Sequence, residues 1–84
     1  MTSITIYCLF DATGQLQRVS AYTSAEAALA DFKWPPPEGG PGEMYACRMS
    51  ENAAVEIREQ KDLKKATKMC KLYSHSIQKC ADIT

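Results

Sequence analysis

The sequence is poor in the residues that build large hydrophobic cores. Leucine, isoleucine, valine and phenylalanine together number 14 of 84 residues, below the ~20% share at which disorder becomes a concern. A high net charge, the second mark of a disordered chain, is also missing, because ten basic residues balance ten acidic ones. We therefore expect residues 1–84 to form a single folded domain of modest stability, to which a homodimer or a bound partner would add burial.

Long apolar runs and targeting signals are missing as well. No stretch approaches the ~20 apolar residues of a membrane span. The apolar segment Ile4–Phe10 is short, alternates with Thr5, and lacks a basic flank or a small-residue cleavage site. We expect a cytoplasmic protein that makes no membrane contact.

The four cysteines, Cys8, Cys47, Cys70 and Cys80, include no Cys-x-x-Cys pair. Without a secretory leader they are interpreted as reduced thiols that act as small hydrophobic residues, and not as two disulfides. A zinc site that used all four would need every inward face of the fold to converge on one point. We expect no metal and no cofactor.

The single histidine, His75, lies between Cys70 and Cys80 in a spacing that superficially resembles a ligand set. In the helix predicted below, both cysteines face the core and His75 faces away, so the three cannot converge on one metal. The neighbouring serines also point away from the imidazole, and no base or nucleophile is held beside it. We expect a protein without enzymatic activity.

The first part of the chain predicts a β-hairpin. Ile4–Phe10 is rich in β-branched and aromatic residues, Asp11–Gly14 has turn residues, and Leu16–Tyr22 forms the return strand. Period-two alternation places four residues on one face of the first strand: Ile4, Ile6, Cys8 and Phe10.

A short helix and a long loop are predicted next. Thr23 and Glu26 have the spacing of a capping box at the start of an alanine-rich helix. Pro35 ends that helix region, and Trp34–Gly42 forms a proline- and glycine-rich loop of unusual length for so small a domain.

The second half of the chain predicts two more strands and a long helix. Met44–Met49 predicts a strand with Tyr45, Cys47 and Met49 on one face, and Ser50–Asn52 predicts a turn. Alternation over residues 53–58 favours a fourth strand, although a helix is the competing interpretation. Residues 61–81 then predict one amphipathic helix of about five turns. The resulting fold class is α+β in the order ββαββα, a four-stranded antiparallel sheet with two helices on one face.

Two surface features are candidates for binding a partner. Residues 1–52 carry three basic and six acidic residues, and residues 53–84 carry seven and four. The basic excess forms a stripe on the last predicted helix: Lys61, Lys64, Lys65, Lys68 and Lys71. Trp34 beside the prolines and Tyr7 on the outer sheet face are the candidate aromatic contacts.

The segments Tyr7–Gly14 and Ala21–Ala28 resemble the hairpin and capped-helix opening of many small bacterial and phage proteins. In general style the chain resembles phage-encoded antagonists of host defence, including anti-CRISPR proteins. This resemblance implies a protein that occludes a surface of a host protein complex, such as a CRISPR effector. Antagonists that imitate DNA are strongly acidic, and this neutral chain departs from that pattern.

The sequence thus supports two functional hypotheses. The first is a non-enzymatic protein-interaction module, acting as an inhibitor, whose contacts are Trp34, Tyr7 and the lysine stripe. The second is a small nucleic-acid-binding protein that uses the same lysines on phosphate groups. The stripe lacks arginine and interleaved aromatics, which argues for the first.

Overall fold

A four-stranded antiparallel sheet organises the protein. The computed structural model describes residues 2–20, 24–31 and 42–83. Within them the elements follow in the order β1 (Ser3–Asp11), β2 (Leu16–Val19), α1 (Ala25–Asp31), β3 (Gly42–Ser50), α2 (Glu51–Glu59), α3 (Leu63–Tyr73) and β4 (Ser76–Ile83). The strand order across the sheet is β2-β1-β3-β4. The α+β class and the four-stranded antiparallel sheet are confirmed, whereas the predicted order of elements is wrong in its second half.

The predicted hairpin of β1 and β2 is confirmed, although β2 ends at Val19 and positions 21–22 of the predicted return strand lie outside the described residues. One carboxylate holds the turn of the hairpin. Asp11 accepts hydrogen bonds from the Thr13 N–H (2.9 Å), the Gln15 N–H (3.0 Å) and the Gln17 side-chain amide (2.8 Å). Gly14 adopts φ +84°, a left-handed conformation that residues with a Cβ rarely take. Together these features close the loop between the two strands.

The central pair of the sheet is β1 and β3. They run antiparallel in one unbroken register, from Ser3 opposite Ser50 to Asp11 opposite Gly42. The inward faces predicted from alternation are confirmed, because the main core contains all of the following residues: Ile6, Cys8, Phe10, Cys47 and Met49, with Ile4 and Tyr45 packed against them.

Residues 53–58 form part of helix α2, so the predicted fourth strand at this position is wrong. The Ser50 hydroxyl caps the helix by accepting a hydrogen bond from the Ala53 N–H at 3.2 Å. Ala54 and Ile57, three residues apart on one helical face, are buried in the core. A strand would have placed these two residues on opposite faces.

The predicted helix over residues 61–81 is confirmed over Leu63–Tyr73 and wrong beyond it, because α3 ends at Tyr73 and the chain continues as strand β4. Asp62 caps the start of α3 by accepting from the Lys64 and Lys65 N–H groups at 3.0 and 3.3 Å. After the helix, the His75 N–H donates to the Arg48 carbonyl at 3.0 Å. The exit of α3 is thus tied to β3, whose outer edge then pairs with β4.

Helices pack on both faces of the sheet, which corrects the prediction of two helices on one face. The main core lies between the sheet and the buried faces of α2 and α3. A smaller core lies on the opposite face, where Leu9 of β1 and Met44 of β3 pack with Ala28 of α1. Within the described ranges, no helix is long and apolar enough to cross a membrane.

The Asp11 turn makes the stability of the fold depend on pH. Partial burial raises the pKa of this carboxyl, but hydrogen bonds from Thr13, Gln15 and Gln17 outweigh burial and hold the pKa below its ordinary value. A group whose pKa is lower in the folded state stabilises the fold above its unfolded pKa, and that stabilisation is lost as pH falls through the folded value.

Asp11→Asn should therefore lower the free energy of unfolding by about 1 kcal/mol at pH 7, the scale of a partly exposed charge-assisted hydrogen bond. The difference from wild type should shrink below about pH 4, where Asp11 itself becomes protonated. Urea unfolding at pH 7 and near pH 3 measures both values. Glu56→Gln, at an exposed position in α2, is the control and should stay within about 0.5 kcal/mol of wild type. An Asp11→Asn effect that is equally large at both pH values would contradict the assignment.

Candidate functional site

Three buried thiols meet at the centre of the main core. The Sγ atom of Cys70 lies 3.8 Å from that of Cys8 and 3.7 Å from that of Cys47. All three sulfur atoms lie within 4.8 Å of one another, and all three residues are fully buried. We call this group the thiol cluster.

The secondary structure explains why the thiol cluster forms. In the β1–β3 register Cys47 is opposite Ile6, two residues from Cys8, so both cysteines lie on the same face as diagonal neighbours. Cys70 is four residues after Ala66 on the buried face of α3. Because α3 packs over this part of the sheet, the Cys70 thiol contacts the thiols of Cys8 and Cys47.

The three thiols do not titrate alike. Hydrogen bonding to the other two thiols, together with burial, raises the pKa of Cys8, and hydrogen bonding to Cys70, together with burial, raises that of Cys47. Hydrogen bonds from Cys47 and Cys8 lower the pKa of Cys70, and the Ser74 hydroxyl, 3.9 Å from its sulfur, also lowers it. In the neutral cluster the Cys70 thiol donates to the Cys47 sulfur. Hydrogen bonding within the cluster therefore favours the thiolate form at Cys70 over the thiolate forms at Cys8 and Cys47.

The sequence pattern had placed each of these three cysteines on an inward face but had not brought them together. Cys80 was also predicted to face the core, and this is wrong: it lies exposed in β4, since that segment is a strand and not a helix. His75 lies outside the thiol cluster. It is exposed between α3 and β4, with its Nε2 atom 3.4 Å from the Ser3 hydroxyl.

The predicted lysine stripe lies on the outer face of α3 and on the turn before it. The side chains are exposed at all five positions: Lys61, Lys64, Lys65, Lys68 and Lys71. Helical geometry places Leu72 within this stripe. Its side chain is 77% exposed, the highest value among the large apolar residues that the structure describes. An apolar contact point is thus surrounded by positive charge.

A shallow groove of about 240 Å³ adjoins Lys71. Its floor includes Phe10 and Tyr45, whose rings pack edge to face with centroids 5.5 Å apart. Ile77 of β4, 43% exposed, forms one wall. Glu43, also in the lining, is held by Lys79 at 2.8 Å. We call the lysine stripe, Leu72 and this groove the α3–β4 surface.

Of the two predicted aromatic contacts, the one that the structure describes, Tyr7, does not join the α3–β4 surface. Tyr7 is half-buried on the opposite face of the sheet, where it packs against the smaller core. Trp34 lies outside the described residues. A single flat contact cannot include both Tyr7 and the lysine stripe.

Because the thiol cluster is buried and Cys80 is exposed, we expect the four cysteines to differ strongly in their reactivity toward thiol reagents. A thiol-specific reagent added to the native, reduced protein should label Cys80 rapidly, and the other three cysteines only on unfolding, because modification requires access to the thiolate. Mass spectrometry should show one label per chain without urea and four with urea. Cys80→Ser should show none before unfolding. Rapid labelling of any residue of the thiol cluster would contradict the packing.

Comparison of the chain with protein-family models, curated proteins and solved structures finds no match in any of the three. Proposals about its function therefore depend on the geometry described above.

Proposed function

We propose that this protein is a non-enzymatic interaction module that binds another protein through the α3–β4 surface. The observation that carries the proposal is Leu72, an exposed leucine among the lysines of α3 and the residue after Lys71, which lines the apolar groove. Burying a leucine side chain contributes about 1.5–3 kcal/mol relative to leaving it exposed. A partner that covers Leu72 and fills the groove recovers that free energy.

The charges of the α3–β4 surface specify the chemistry of the partner. Five exposed lysines with one apolar centre are complementary to an acidic surface that carries a projecting apolar side chain. Charge complementarity accelerates association, and the apolar contact supplies most of the affinity. The resemblance to phage-encoded antagonists suggests that the partner is a host protein complex, such as a CRISPR effector. The module would inhibit that complex by occluding one of its functional surfaces.

Substitution at Leu72 tests this proposal. Leu72→Ala should weaken recovery of the partner at least tenfold, which corresponds to about 1.4 kcal/mol. Leu29→Ala is a matched control, because Leu29 is exposed on α1 across the sheet. The measurement is a tagged pull-down from host-cell lysate, with and without nuclease, read by mass spectrometry and followed by affinity measurement with the recovered protein.

A double substitution tests the contribution of the lysines in the same binding experiment. Lys64→Glu together with Lys68→Glu should weaken binding most at low salt, since salt screens exposed charges. If Leu72→Ala binds as tightly as Leu29→Ala, or if no protein partner survives nuclease, the α3–β4 surface is not a protein-binding site.

The second candidate function is nucleic-acid binding by the lysine stripe. Its support is that all five lysines are exposed along one helix and the turn before it. It leaves Leu72 and the apolar groove without a role, because phosphate contacts need neither.

Nucleic-acid binding predicts a complex at ~50 mM salt whose affinity falls steeply as salt rises, with a log–log slope of about −4.5 for five duplex phosphate contacts. Replacing Lys64 and Lys68 with Glu should reduce that slope by about 2. A gel-shift titration with duplex and single-stranded DNA measures it. Absence of a complex at ~50 mM salt excludes this function.

A further inference from the structure

We propose that Cys8, Cys47 and Cys70 form a binding site for one thiophilic closed-shell divalent cation, Zn²⁺ being the expected ion, held by three thiolates between the sheet and α3. This site is separate from the α3–β4 surface. It joins three elements that are distant in sequence, one cysteine each from β1, β3 and α3.

The sulfur positions already approach those of a coordinated metal. With zinc–sulfur bonds of about 2.3 Å, two thiolates of a tetrahedral site lie about 3.8 Å apart, and those of a trigonal site about 4.0 Å apart. Cys70 lies 3.8 Å from Cys8 and 3.7 Å from Cys47, sulfur to sulfur. The remaining separation, between Cys8 and Cys47, is within 4.8 Å. Binding therefore requires only small side-chain adjustments.

The donor set selects the class of cation. Thiolate sulfur is a soft ligand that favours zinc, copper(I) and similar ions, whereas Mg²⁺ and Ca²⁺ require oxygen ligands. Among the described residues this donor group consists of cysteines alone. The site therefore discriminates against the hard divalent cations.

Net charge favours a divalent ion over a monovalent one. Three thiolates with Zn²⁺ leave one negative charge in the core, and with Cu⁺ they leave two, which costs more in a fully buried position. The Ser74 hydroxyl, 3.9 Å from the Cys70 sulfur, is placed to hydrogen-bond that thiolate and compensate part of the charge.

Coordination of the ion would also stabilise the fold, because the core is small. Binding replaces the S–H bonds of the thiols with three metal–sulfur bonds and releases their protons to the buffer. The ion then links the central strand pair to α3. Because the folded core encloses the sulfur atoms, the ion enters as the chain folds, and binding raises the stability of the folded state.

The experiment refolds the reduced protein from urea in the presence of Cd²⁺, a spectroscopic substitute for Zn²⁺. We expect one Cd²⁺ per chain, a near-ultraviolet thiolate-to-cadmium absorption band, and competition by Zn²⁺. Zn²⁺ should also raise the thermal unfolding midpoint. Cys80→Ser, the control at the exposed cysteine, should bind as wild type does. Cys70→Ala, which retains a good helix former, should lose at least tenfold in affinity.

Three results would overturn the site. They are absence of the absorption band at saturating Cd²⁺, loss of the band in Cys80→Ser, and an undiminished band in Cys70→Ala. If Cys70→Ala does not fold, X-ray absorption of the zinc-loaded wild-type protein decides: three sulfur ligands are expected, and two or fewer exclude the site. Binding of Cu⁺ by three sulfurs without any binding of Zn²⁺ would refute the choice of a divalent ion.

Discussion

The pairing of β1 with β3 is the interaction on which the rest of the structure depends. Its nine opposed residue pairs form the centre of the sheet and leave one outer edge for β2 and the other for β4. Both hydrophobic clusters are built on the two faces of this pair. A shift of β3 by one residue in this register would turn Cys47 away from Cys8 and move the other inward residues of β3 to the opposite face of the sheet.

Each outer strand of the sheet pairs with its neighbour through a register that contains one irregularity. The β1–β2 register shifts between Leu9 and Phe10, and the β3–β4 register shifts between Met44 and Tyr45. The second irregularity lies beside Lys79, which binds Glu43 and Asp82. Bulges and lysines on edge strands discourage pairing with further strands.

The main core contains small helical side chains and three cysteine thiols. Two of the helical residues that close it, Ala54 and Ala66, are small, so the helices approach the sheet closely and the cysteines occupy its centre. Thiols fill such positions as small apolar groups. The same close approach brings three sulfur atoms within bonding distance of a single ion. The inward face of α3 thus contributes Cys70 to the thiol cluster, and the outward face of the same helix carries Leu72 and most of the lysine stripe.

Local patterns were sufficient for the hairpin turn, for strands β1 and β3 and for the buried face of α3. Period-two alternation with β-branched residues identified β1 and β3 and their inward faces, and turn residues identified the hairpin. Helical periodicity placed Cys70 on the buried side and the lysines on the exposed side of α3. Each of these inferences depends on residues within a few positions of one another, where local stereochemistry decides the outcome.

The second half was decided by tertiary structure. Residues 53–58 alternate in a way that fits a strand, yet the Ser50 cap and the burial of Ala54 and Ile57 make them a helix. Residues 76–83 continue a helical pattern, yet they pair with the outer edge of β3 and satisfy its backbone groups. Although it wrongly placed Cys80 in the core, the sequence by itself determined that Cys8, Cys47 and Cys70 face inward. Their convergence depended on where α3 crosses the sheet, because a distance between elements far apart in sequence is set by packing and leaves no local pattern.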